Sequence, residues 1–166
     1  MTVAPAAAAA RVAAAGATVT HVDASKGMVT WAKENAVSSG LKDAPIRWLV
    51  DDCVKFVERE IRRGNTYDAI IMDPPSYGRG PKGEIWKIED MIHPLIRLCA
   101  KILSKDALFF LVNSYTTGLA PAVLTYMIST ELKSWNGHVD SQEIGLPVTN
   151  SGLVLPCGAS GRWESR

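Results

Sequence analysis

Residues 67–83 read YDAIIMDPPSYGRGPKG, and this stretch decides how the rest of the chain divides. Tyr67 to Met72 is a short apolar run of the kind buried in a parallel sheet, where strands are covered on both faces. Pro74 and Pro75 forbid its continuation, because each proline locks φ and lacks the N–H that a ladder needs. The strand therefore stops on a carboxylate, Asp73, and passes into a loop of Gly, Pro and Lys/Arg from Ser76 to Gly83.

Working back toward the N-terminus, Ile46 to Val50 (IRWLV) is a second buried-strand candidate, followed by Asp51 and Asp52, either of which can cap a helix. That helix carries Val54, Val57 and Ile61 on one face and closes with Arg59, Arg62, Arg63 and Gly64, which suit a C-terminus by charge and backbone conformation. Ala17 to Asp23 (ATVTHVD) is β-branched and leads into Ser25, an N-cap for a helix with Met28, Ala32, Asn35 and Ala36 on its inner face and a stop near Gly40. Residues 4–15 are almost all alanine, the strongest helix former, with Gly16 at the stop position.

Working forward, Ile85, Ile88, Ile92, Leu95, Cys99 and Ile102 keep helical spacing. Pro94 interrupts them, which predicts two shorter helices with Pro94 in the first turn of the second. Ala107 to Val112 (ALFFLV) is a further buried strand, Gly118 to Lys133 a helical stretch, and the last 30 residues two strands joined by a polar turn. Strands alternating with helices predict an α/β fold, Rossmann-like and doubly wound, with a mostly parallel sheet and a C-terminal antiparallel strand pair.

Composition bounds the function. The 166 residues carry 18 Lys plus Arg against 17 Asp plus Glu, so a strongly basic nucleic-acid tail and an acidic interaction tail are excluded, and any nucleic-acid surface is a local patch. Cys53, Cys99 and Cys157 show no C-x-x-C spacing, which argues against a disulfide framework or a zinc site and for a reducing compartment. The alanine-rich start is broken by Pro5 and Arg11 and falls short of the ~20 apolar residues of a membrane span. The expectation is a soluble, cytoplasmic protein.

In open α/β sheets ligands bind beyond the carboxyl ends of the strands, which points to Asp23, Asp51, Asp52, Asp73 to Tyr77, and Asn113 to Tyr115. Three of the four strand ends are carboxylates. An acid at the end of a second strand can accept both hydroxyl protons of a ribose; the plainer reading of Asp23 is a charge favouring a helix N-terminus.

The ladder Asp23, Asp52, Asp73-Pro74-Pro75 resembles the class I S-adenosylmethionine-dependent methyltransferases. The stretches IRWLVDDCVKFVERE (46–60), YDAIIMDPPSYGRGPKGEIWKIED (67–90) and LPCGASGRW (155–163) are similar to the branch that contains the large-subunit ribosomal RNA methyltransferases. The likeness runs from about Ala13 to Trp163, and DPPSYGRG is its most specific part. It implies a single methyltransferase domain over residues 1–166, partial at its N-terminus. It implies S-adenosylmethionine held by Asp23, Ala24, Ser25, Asp52, Cys53 and Asp73, with ribose on Asp23 and the adenine amino group beside Asp52. The acceptor, a nucleobase in ribosomal RNA, would face Asp73, Pro74, Pro75 and Tyr77.

Physical chemistry fits that assignment. Methyl transfer from a sulfonium is an in-line displacement that asks for alignment, worth ~7 kcal/mol or more. Prolines fix the carbonyls of Asp73 or Pro74 toward a flat acceptor, and the Asp73 carboxylate can accept from its exocyclic amine. Tyr77 is a candidate stacking platform, or an ordinary loop tyrosine packed on a neighbour; in amino-group methyltransferases the aromatic directly follows the prolines, whereas Ser76 intervenes here. The 5-methylcytosine branch places a cysteine after the strand that follows Asp-Pro-Pro, but here that strand ends Asn113-Ser114-Tyr115, so no covalent cysteine intermediate is expected. Arg79, Lys82, Trp86 and Lys87 can meet RNA phosphates, or form a solvated loop with a half-buried tryptophan. His21, His93 and His138 have no metal-ligand spacing, so no metal is expected.

One element is missing from the pattern. A glycine-rich turn should precede the ribose acid by about 20 residues, near residue 3, where no glycine stands. The alanine helix then matches the family's first helix, and its central first strand is read as absent. That predicts weak cofactor binding, or a homodimer through the vacated sheet edge. The alternatives are a non-catalytic RNA- or partner-binding domain of the same fold, and a nicotinamide-dependent oxidoreductase, which gives no reason for Asp73-Pro74-Pro75.

Overall fold

The computed structural model describes residues 2–3, 6–80, 83–116 and 118–166, the backbone alone at 2, 3 and 6. The chain divides into two units, Met1–Met72 with Leu98–Leu108, and Asp73–Arg97 with Phe109–Arg166. The first runs β1 (Thr2–Val3), α1 (Ala6–Ala14), β2 (Val19–Asp23), α2 (Lys26–Ser38), β3 (Ile46–Val50), α3 (Cys53–Arg63) and β4 (Ala69–Met72). Its strands are parallel, in the order β3-β2-β1-β4. Every residue of β4 is buried, as are Val19 to Val22 of β2, which is why both read as unbroken apolar or β-branched runs.

The strand expected to be absent is present. Thr2 pairs with Val19 and with Ala69, and Val3 with Thr20 and with Ile70, so β1 fills the place between β2 and β4. Two residues cannot show the alternation by which a strand is recognised in sequence. With β1 in place there is no vacated edge there, and the dimer expected through it loses its premise. Residues 4 and 5, where the glycine-rich turn would stand, lie outside the described residues.

Local signals set the helix ends. Ser25 caps α2 by accepting from the Met28 N–H at 3.3 Å, and of the two candidate acids it is Asp52 that caps α3, accepting from the Lys55 N–H at 3.0 Å. Gly64 closes α3 at φ 69°, a left-handed conformation that costs glycine little. The inner face of α2 is Val29, Ala32 and Ala36; Met28 and Asn35, expected inside, are exposed, because the face turned inward is centred on Val29. On α3 the inner face is Phe56, Val57 and Glu60. Glu60 is a fully buried carboxylate, satisfied by the Tyr67 hydroxyl at 2.7 Å, the Asn65 amide at 2.9 Å and Arg63 at 2.9 Å.

The second unit contains β5 (Tyr77–Arg79), β6 (Ile85–Lys87), most of α4 (Ile88–Ala100), β7 (Phe109–Ser114), α5 (Pro121–Glu131), β8 (Gly137–Pro147) and β9 (Val154–Ser165). Antiparallel pairing orders three of these strands β7-β9-β8, and β5 and β6 form a separate hairpin. The C-terminal strand pair matches the expectation from sequence. Two other readings are corrected. The stretch read as a loop from Ser76 to Gly83 contributes β5, paired Tyr77↔Lys87 and Arg79↔Ile85. The two helices expected around Pro94 are one: Pro94 sits inside α4, and the missing bond, a loss of about 3 kcal/mol, is offset by a continuous buried face of Ile88, Ile92, Leu95, Ile96 and Cys99.

Candidate active site

The carboxyl ends of β2 and β3 are tied together by their backbones. Asp23 stands opposite Val50, and the next residue, Asp51, donates its N–H to the Asp23 carbonyl at 3.0 Å. The Asp23 carboxylate turns back on its own loop, with Oδ1 accepting from the Ser25 N–H at 2.7 Å. Ala24 and Ser25 are exposed beside it. Asp51 accepts the Asp52 N–H on Oδ1 at 2.9 Å and is ion-paired through Oδ2 to Arg59 of α3.

Cys53 reports the electrostatics of this edge. Although the residue presents surface to solvent, its sulfur donates to the Val22 carbonyl at 3.7 Å. Burial of that thiol, joined by the charges of Asp23, Asp52 and Asp51, pushes its pKa up to about 11. The edge is therefore electronegative and open, and the cysteine on it stays protonated at neutral pH. A half-exposed carboxylate flanked by small residues, in negative potential, fits a cationic nucleoside whose ribose offers two hydroxyl donors.

Asp73 follows Met72, the last residue of β4; the residue is exposed to solvent, yet the protein around its carboxyl desolvates it enough to raise its pKa from the ordinary value. The turn after it is held from two sides. The Trp86 indole donates to the Pro75 carbonyl at 2.6 Å, and the Ser76 hydroxyl lies 2.6 Å from that of Thr116. The Ile88 N–H closes on the Ser76 carbonyl at 3.1 Å. Tyr77 does not bury its ring: it is 51% exposed, with its hydroxyl accepting from Arg79 Nε at 3.0 Å.

No protein-family model matches the chain. It is 36% identical over 86 residues to the ribosomal RNA large subunit methyltransferase K/L of Pseudoalteromonas atlantica, an alignment covering 51% of this chain and 12% of that protein. It is 29% identical over 94 residues to the ribosomal RNA large subunit methyltransferase K of Neisseria meningitidis serogroup B, covering 56% of this chain and 27% of that one. In three dimensions it is similar to the SAM-dependent methyltransferase from Agrobacterium tumefaciens, with a TM-score of 0.92 and 38% identity. The chain has the class I methyltransferase fold. It covers 99% of its own length but 56% of the Agrobacterium chain in that comparison, so it spans about half of that methyltransferase and a smaller share of the curated relatives.

Within this methyltransferase fold the sequence-predicted residues fall into two groups. Asp23, Ala24, Ser25, Asp52 and Cys53 belong to the first unit, at the carboxyl ends of β2 and β3; Asp73, Pro74, Pro75 and Tyr77 belong to the second, in the turn after β4 and the strand β5. Sequence reasoning named Trp86 as a residue that meets RNA or sits half-buried in a loop, not as an anchor of the turn, and did not single out Thr116. The spacing YGR, then Gly80 to Gly83, then EIWK was a hairpin signal that would have put Trp86 across from Gly78. Asn113 accepts from the Ser160 hydroxyl at 2.9 Å, and Tyr115 is exposed. Lys82 lies outside the described residues.

Cys99, Cys157, His21 and His93 have structural surroundings, and His138 is exposed on β8. Cys99 is buried, which, with Cys53 nearby, pushes its thiol up to about 12, and Cys157 donates to the Leu155 carbonyl at 3.3 Å. His21 is buried edge-on against Trp48, and His93 pairs with Glu131 at 2.8 Å. Among the described residues no group of three or more His, Cys, Asp or Glu is placed to hold a metal ion, and no helix is long and apolar enough to cross a membrane.

Proposed function

We propose that this chain is the S-adenosylmethionine-binding, methyl-transferring part of an RNA methyltransferase that modifies a nucleobase of ribosomal RNA in the cytoplasm, by direct displacement and without a cysteine nucleophile. The observation that carries this reading is the turn Asp73-Pro74-Pro75, a carboxylate and two prolines clamped by Trp86 and Thr116 immediately after a buried strand. The names of the curated relatives support ribosomal RNA as the partner.

S-adenosylmethionine, when bound, supplies a methyl group on a positively charged sulfur. Asp23, Ala24, Ser25, Asp52 and Cys53 would hold it, the Asp23 carboxylate accepting from ribose hydroxyls and Asp52 bordering the adenine. Asp73 takes a hydrogen bond from the amine of the acceptor base, and a carboxylate with raised proton affinity is the better acceptor as that nitrogen gains positive charge. The prolines keep the carbonyls of the turn from rotating, and the exposed ring of Tyr77 offers a surface on which an unstacked base can lie. Cys53, held as a thiol, does not compete as a nucleophile.

The test is methyl transfer to unmodified large-subunit ribosomal RNA. Asp23→Ala and Asp73→Ala are each expected to abolish it while circular dichroism and the thermal transition persist; full activity in Asp73→Ala refutes its role. A second reading, a non-catalytic RNA-binding domain of this fold, is favoured by Ala4 and Pro5 standing where a glycine-rich turn is expected. It predicts a wild-type chain that binds RNA and transfers nothing.

A further inference from the structure

The turn Asp73-Pro74-Pro75 offers more acceptor groups than one amine can use: the Asp73 carboxylate and the carbonyls of Asp73, Pro74 and Pro75. Trp86 anchors the last of them. Its indole N–H, a donor with no acceptor capacity, lies 2.6 Å from the Pro75 carbonyl oxygen. The ring is half-buried on β6 in register with Gly78, and the hairpin returns the chain so that Ile88 closes on the Ser76 carbonyl at 3.1 Å. The tryptophan thus reaches the turn from a paired strand, which fixes its direction better than a loop would.

We infer that Trp86 is a positioning residue for methyl transfer: by anchoring the Pro75 carbonyl it holds the turn, and with it the Asp73 carboxylate and the carbonyls before Pro75, in the orientation that sets the angle at which the amine meets the methyl group. This rests on the proposed transfer to a nucleobase amine. The sequence alone left Trp86 between RNA contact and a half-buried place in a solvated loop; its indole, committed to a backbone carbonyl, acts on the turn. Misalignment of about 1 Å at a reacting centre can reduce a rate about 100-fold, so loss of this one N–H is expected to be visible in turnover.

The decisive variant is Trp86→Phe, which keeps an aromatic ring and removes the N–H. Two measurements on the full chain separate the possibilities. The first is amide hydrogen exchange at Ile88, which is expected to quicken in Trp86→Phe as the turn loosens; unchanged exchange overturns the anchoring. The second is steady-state methyl transfer to ribosomal RNA, in which kcat is expected to fall about 10- to 100-fold with KM for RNA unchanged. A raised KM with intact kcat assigns Trp86 to RNA binding and overturns the inference, as does full activity. A wild-type chain with no activity refutes the functional reading and the catalytic part of this inference with it, while the exchange measurement still decides the anchoring by itself.

Discussion

The Asp51 N–H donates to the Asp23 carbonyl at 3.0 Å, extending the β2–β3 ladder one residue past Val50. The register it belongs to sets Asp23, from the neighbouring strand end, within electrostatic reach of Cys53, which Asp51 and Asp52 directly precede in the chain. Like charges gathered this way disfavour one another. Arg59 pairs with Asp51, Asp23 accepts from the N–H of Ser25 in its own loop, and Asp52 caps α3.

Cys53 is expected to resist alkylation in the native protein. Its pKa of about 11 leaves little thiolate at pH 8. Asp23→Asn removes one of the charges that raise it, so iodoacetamide labelling of the peptide containing Cys53, followed by mass spectrometry, should become faster in that variant. An unchanged rate would show that burial alone protects the thiol.

Tyr67→Phe is expected to destabilise the fold by about 1.5–3 kcal/mol, because the phenol is one of three donors to the buried Glu60. Burial alone would raise the Glu60 pKa, but the hydrogen bonds from Tyr67, Asn65 and Arg63 hold it below the usual value. A lowered folded pKa contributes stability that is complete above the unfolded value, about 4.3, and is lost as pH falls through the folded one. Urea titrations between neutral pH and pH 3 should show a shallower acid loss in Tyr67→Phe than in the wild type.

Asp73 carries the opposite sign. Its folded pKa is raised by desolvation, so its contribution to stability is greatest below the unfolded pKa of about 3.9 and is lost as pH rises through the folded value. Asp73→Asn should therefore unfold at the same or a higher temperature than the wild type at pH 7 while methyl transfer collapses. A lower thermal midpoint in that variant would assign Asp73 a role in holding the turn together instead.

Gly158 lets β9 approach the end of β7, where a Cβ would collide with the carbonyl of Ser114. Its φ of 152° adds strain for any other residue. Gly158→Ala is expected to lose about 1–3 kcal/mol by overpacking. The same substitution at Gly152, φ 66° in the β8–β9 turn with open space around it, should lose only the smaller backbone term of about 1 kcal/mol. Chemical denaturation of the two variants side by side distinguishes them.

The sequence by itself determined what depends on neighbours along the chain. Ser25 and Asp52 cap their helices three residues ahead, Gly64 closes α3, and Pro74-Pro75 stops β4 on a carboxylate, since these are steric or short-range polar effects of each residue's own chemistry. The same local reading failed where burial overrode it. Pro94 should break a helix, yet a continuous apolar face keeps α4 whole, and the two residues of β1 carry too little pattern to be recognised. Only the tertiary structure decided which distant groups act on which: Trp86 on Pro75 across 11 residues, Ser76 on Thr116 across 40, and Asp23 on the thiol of Cys53. Such pairings arise when the chain buries its apolar faces and so brings distant polar groups together, and beyond the hairpin spacing ahead of Trp86 no pattern in the sequence records that they will meet.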